Sequence, residues 1–142
     1  MTKSDLIGTW VLTSFELRKE NGEVIYPFGK EATGRIIYTS TGDFSAQVMR
    51  KNRPMFVSDD QMKGSIAEVM ENFNGVISYF GRYTIDENIV THHVEESIFP
   101  NWKGLSMKRF AKLDNGLLEL STEPMTWQGE NSIGILIWKI SE

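Results

Sequence analysis

Apolar and polar residues alternate with period two along most of this chain, in short runs broken by turn signals. From Trp10 to Arg18, Val11, Thr13, Phe15 and Leu17 share one face, while Trp10, Leu12, Ser14 and Glu16 share the other. Asn21-Gly22 then supplies residues that tolerate positive φ, a hairpin signal. Val24 to Tyr26 reads as a short strand ended by Pro27, and Arg35 to Thr39 pairs with Phe44 to Met49 through Thr41-Gly42-Asp43. The runs Val76 to Ile85, Ile89 to Ile98, Leu105 to Leu113, Leu117 to Thr122 and Ile133 to Ile140 continue as a meander.

One segment departs from this period. Ser58-Asp59-Asp60-Gln61 has the form of a capping box, and Met62, Ile66, Val69, Met70 and Phe73 follow at helical spacing. The pattern predicts one amphipathic helix over about 58–73, ended by Asn74-Gly75, that caps an end of the fold. Asp59 and Asp60 fall in its first turn, where carboxylates favour the helix dipole. A single helix among roughly nine regularly spaced strands predicts an all-β antiparallel barrel or sandwich.

Composition narrows the partners. The chain has 142 residues, enough for one domain (1–142) with its own core, and has no cysteine, which excludes disulfides and thiolate chemistry. Fifteen Lys and Arg against nineteen Asp and Glu leave a net charge of −4 with no basic stripe, which argues against nucleic acid. No run reaches the roughly 20 apolar residues that cross a bilayer. The amino-terminal residues lack an apolar signal core, so the expectation is a cytoplasmic protein. Gly-x-Ser-x-Gly, Gly-x-Gly-x-x-Gly and P-loop patterns are all missing, so nucleophilic hydrolysis and nucleotide use are set aside and no cofactor is expected.

His92 and His93 are the two histidines, side by side on the strand 89–98. Val90, His92, Val94 and Ile98 share a face, so His92 is expected inside and His93 outside. Inside, His92 serves as a ligand hydrogen-bonder, a general base, or a core histidine satisfied by Tyr79 or Tyr83. Adjacent strand positions diverge and no third His exists, so no metal is expected. Arg109 shares its face with Leu105, Met107, Ala111 and Leu113. It reads either as an anchor for a ligand carboxylate or phenolate, or as the partner of an inward Glu96 or Glu119. Gly81, between Tyr79 and Tyr83, marks a gap for a ring or a strand bulge. Trp102 reads as a rim residue, lid or plug. Met49, Met62, Met70 and Met107 are candidates to line an adaptable cavity.

Several motifs, in order along nearly the whole chain, resemble one family. Gly8-Thr9-Trp10 is similar to the Gly-x-Trp opening of the lipocalin and calycin superfamily. With Tyr26-Pro27-Phe28-Gly29, Gly42-Asp43-Phe44-Ser45, Tyr79-Phe80-Gly81-Arg82-Tyr83, Pro100-Asn101-Trp102-Lys103-Gly104 and Arg109, the chain resembles the bacterial and fungal lipocalin-like domain family. The resemblance implies an up-and-down antiparallel β-barrel of about 8–10 strands with a cavity for a small hydrophobic molecule.

The leading expectation is therefore binding of a small aromatic or polyketide-like molecule, with His92, Arg109, Tyr79 and Tyr83 orienting it. The alternative is a cofactor-free isomerase, cyclase or dehydratase, with His92 as base, Arg109 stabilising an enolate and Tyr83 relaying the proton. A filled barrel acting as an interaction protein through His93, Glu95, Lys108 and Lys112 is the third. Edge strands near Val24 or Ile133 offer a route to a homodimer.

Overall fold

Strand follows strand in hydrogen-bonded order through the computed structural model, which describes residues 1–141. The strands are β1 (Gly8–Lys19), β2 (Val24–Ile25), β3 (Thr33–Tyr38), β4 (Asp43–Met49) and β5 (Val76–Asp86). They continue with β6 (Ile89–Ser97), β7 (Ser106–Asp114), β8 (Leu117–Thr122), β9 (Met125–Trp127) and β10 (Glu130–Ile140). All pairings are antiparallel. The order β1-β3-β4-β5-β6-β7-β8-β10 returns on itself through β1–β10, closing an eight-stranded barrel with β2 and β9 as extra margins. Closure leaves these eight strands without a free edge. Ile133 thus lies inside the barrel wall, paired with Arg18, and is no edge residue.

Alternation decides what fills the interior, with two local departures. On β1 the register slips between Leu12 and Ser14, so the buried set changes from Trp10 and Leu12 to Phe15 and Leu17. The uniform alternation expected there is broken by this bulge at Thr13, whose hydroxyl donates to the Ile137 carbonyl (3.0 Å). Between β5 and β6 the register slips at Phe80/Gly81: β5 keeps its alternation, and Glu95 is the extra residue, on β6. A β-carbon at Gly81 would collide with the His93 carbonyl. Gly81 is there for close backbone approach at the bulge; the space beside it is filled by backbone and holds no ligand gap.

One end of the barrel is sealed. The single-turn helix α1 (Lys3–Leu6) brings Leu6 to complete burial, and Trp10 Nε1 donates to the Leu6 carbonyl at 2.8 Å. Tyr83 belongs to this end: its hydroxyl donates to the Thr39 carbonyl (2.7 Å) and Lys3 Nζ stands 5.7 Å from its ring centre.

The helix α2 spans only Ile66–Phe73, half the expected length. Its capping box is formed by Ser65 and Glu68, while Asp60 caps a separate 3-10 turn at Gln61–Lys63. Between them Gly64 is extended, with Phe56 stacked so closely that no side chain fits. Helical spacing alone carried Met62 into α2; Gly64 breaks the run. No α2 residue is buried, and Met62 and Met70 are 88% and 59% exposed. The helix reaches the barrel end through Phe73, which lies in one pocket with Val76, Ile98, Phe99 and Trp102.

Candidate functional site

Inside the barrel is a slot whose walls are mainly apolar: Phe15, Ile36, Ala46, Val48, Leu120, Leu136 and Trp138. Trp102 and Trp127 line both this slot and an outer vestibule formed with Phe73, Ile98 and Phe99, which marks the mouth. The slot is narrow, with a cavity volume of about 40 Å³. Four side chains bring polar groups to the wall besides Trp138: Tyr79, His92, Arg109 and Thr122.

His92 faces inward because β6 alternates, and it is 1% exposed. Its ring stacks on Phe44 at 4.2 Å between centres. Both nitrogens are engaged: Nε2 with Tyr38 Oη at 2.6 Å and Nδ1 with Tyr79 Oη at 3.1 Å. Burial first, then the nearby Arg109 charge and His93, hold the ring well below its ordinary 6.5, so it is neutral. Burial likewise pushes the Tyr38 hydroxyl well up, reinforced by Tyr79 and Tyr83 and partly offset by Arg109. Tyr38, His92 and Tyr79 therefore form a neutral chain running from the sealed end toward the slot.

Arg109 sits diagonally from His92, opposite Val90 on β6 and Thr122 on β8. It is 7% exposed. Its hydrogen bonds go to the Lys108 carbonyl (3.2 Å) and, weakly, to Met107 Sδ (3.9 Å). Neither proposed partner reaches it. Glu96 pairs with Lys103 on the surface, and Glu119 lies on β8 with the opposite parity to the inward Leu118, Leu120 and Thr122. Among the described residues Arg109 has no carboxylate partner. Thr122 accepts from the Gly134 amide (2.9 Å), and Trp138 Nε1 is buried without any partner.

Of the residues expected from sequence, the structure brings His92, Arg109, Tyr79 and Trp102 together at the slot. Trp102, in the 3-10 turn Pro100–Trp102, packs edge-on against Tyr79 with centres 5.2 Å apart. Tyr83 is directed instead to the sealed end. Met107 flanks Arg109 without joining the wall, Met49 lies against Arg53 (3.4 Å), and Met62 and Met70 are out in solvent. Of the chain's methionines only Met125 lines the wall. Tyr38, Phe44, Thr122, Trp127 and Trp138 were missed; Tyr38 shares inward parity with Ile36, the one sequence signal that pointed to it.

A family model described as a lipocalin-like domain matches residues 7–140. The 4'-hydroxy-3'-methoxypropiophenone carrier protein of Aspergillus oryzae is 31% identical over 104 residues, covering 67% of this chain and 94% of that protein. Among the described residues no helix is long and apolar enough to cross a membrane.

Proposed function

The chain belongs to the lipocalin-like domain family, and from that premise we propose that its barrel binds a small, largely apolar aromatic molecule in the slot. The observation that carries this reading is an apolar cavity open at one end, with a few polar groups converging on it. That is the general form of a small-molecule site, though the closed interior, about 40 Å³, is far smaller than a ring. The similar Aspergillus protein is named as a carrier of an oxygenated aryl ketone, a ligand of this shape and polarity. A ring fills the narrow interior by displacing the half-buried Trp102, Met125 and Trp127.

The enzyme alternative is less well supported. A base needs a free lone pair, and both His92 nitrogens are already engaged by tyrosines. With both nitrogens held by tyrosines, His92 serves the site by orienting Tyr79.

The test is a fluorescence titration of the purified protein with 4'-hydroxy-3'-methoxypropiophenone and a set of simpler aryl ketones. Three tryptophans line the slot, so a saturable change at one equivalent is expected. His92→Gln retains binding in a carrier. No response to any ketone, together with no copurifying small molecule in native mass spectrometry, overturns the reading.

A further inference from the structure

The polar groups of the slot other than His92 share one property: each has a hydrogen to give. For the neutral His92 ring, one nitrogen donates and the other accepts. Tyr38 decides which. It is 1% exposed, is absent from the slot, and has no hydrogen-bond partner but His92. Were Nε2 the donor, the Tyr38 hydrogen would be sealed in the core with no acceptor, which is unfavourable. Tyr38 therefore donates to Nε2, Nδ1–H donates to Tyr79, and the Tyr79 hydrogen is left over at the slot wall. The lengths agree, with the shorter contact to the hydroxyl donor and the longer to the ring N–H.

The other groups point the same way. Arg109 keeps guanidinium hydrogens beyond those spent on the Lys108 carbonyl and Met107 sulfur. Thr122 Oγ1 has accepted from the Gly134 amide and retains its own hydrogen. Trp138 Nε1–H has no acceptor at all. No Asp, Glu, Asn or Gln lines the slot. A buried cation without a counter-ion, surrounded by unspent donors, is unfavourable when empty and is relieved by a negatively charged acceptor.

We infer that the slot takes its ligand as an oxyanion, a phenolate or carboxylate on an aromatic frame, with Arg109 as counter-ion and Tyr79, Thr122 and Trp138 as donors. This rests on the binding reading above and sharpens it: a phenol that enters neutral releases its proton to solvent on binding. The titratable and charged groups facing the ligand are Arg109 on β7, His92 on β6 and Tyr79 on β5, with Tyr38 behind them; β8 and β10 contribute only uncharged groups.

The probe is 4-nitrophenol, whose visible phenolate band reports its protonation directly, with nitrobenzene as the uncharged control. In excess protein, the midpoint of the phenol titration is expected to fall by at least one pH unit, and nitrobenzene to bind at least about tenfold more weakly. Arg109→Met removes the downward displacement. A bound nitrophenol that titrates as it does free, or an unchanged displacement in Arg109→Met, overturns the oxyanion assignment while leaving aromatic binding intact. Should Arg109→Met not fold, the wild-type titration decides alone. Binding of neither probe overturns the oxyanion assignment, and the aryl-ketone titration then decides the binding reading by itself.

Discussion

Tyr38 Oη lies 2.6 Å from His92 Nε2, tying β3 to β6 across the barrel interior between the sealed end and the slot. Tyr38 also packs edge-on against Tyr83, centres 4.9 Å apart, so the imidazole is anchored to the closed end of the molecule. The tyrosine with no access to the ligand thereby fixes the orientation of the one that has it.

Removing that anchor is expected to damage the fold more than the site. Tyr38→Phe leaves a buried histidine nitrogen without its donor, and should lower stability by about 1–3 kcal/mol. Tyr79→Phe should cost less, because Nδ1–H then faces the slot, where water or ligand can accept. Urea unfolding of both variants, with ligand affinity measured alongside, checks the order; equal losses for the two would refute it.

Acid should weaken the protein through His92. Its folded value lies well below 6.5 because the ring is buried beside Arg109, whereas the unfolded chain protonates near the ordinary value. The unfolded state therefore binds more protons in that window. The contribution is complete above about 6.5 and is lost as pH falls toward the folded value, by at most about 1.4 kcal/mol per pH unit. Urea midpoints between about pH 7.5 and 5 should decline, and His92→Gln should flatten the decline.

Arg109→Met should make the empty protein more stable, or leave it unchanged, since an unpaired buried charge is replaced by an apolar side chain of similar length. A gain of up to a few kcal/mol falls in the range known for such replacements. Thermal unfolding without ligand reads this out. A marked loss would mean that the guanidinium is already satisfied in the empty barrel.

Gly81→Ala should be disruptive although the backbone there is ordinary, because the added methyl meets the His93 carbonyl. The strain is expected to cost about 1–3 kcal/mol, by analogy with overpacked cores. Gly104→Ala serves as a comparison: it has open space around it but a φ of +81°, so only backbone strain acts. Denaturant unfolding of the pair separates collision from dihedral cost.

The barrel and part of its site were legible because strand parity is a local signal. Val90, His92 and Val94 alternate with Thr91 and His93, and that alone turned His92 inward. Arg109 was found the same way, opposite parity excluding Lys108. What parity cannot supply is the partner across the barrel. Tyr38 and His92 are far apart in sequence and on strands that do not pair, so their contact depends on curvature and closure. Nor does it reveal a slipped register: Thr13 on β1 and Glu95 on β6 are each one residue too many for the facing strand, and neither run of residues looks irregular. Helical spacing does not by itself mean burial, and Met62 and Met70 are exposed. Gln128-Gly129, with φ of 50° and 80°, turns a hairpin that carries Trp127 to the mouth, and no Asn-Gly or Asp-Gly pair signals it.

The seam between β1 and β10 has a temporal meaning. Trp10 pairs with Ile140, and Phe15 with Leu136, so nearly the whole chain must be present before the wall can close. Until then Trp138 and Gly134 are missing from the slot, and Arg109 stands on an open sheet in water. Contacts this remote in sequence make folding slow. A ligand can thus be recognised only by the finished molecule, and whatever it adds in stability acts on the last step of assembly, holding the seam shut rather than guiding the strands together.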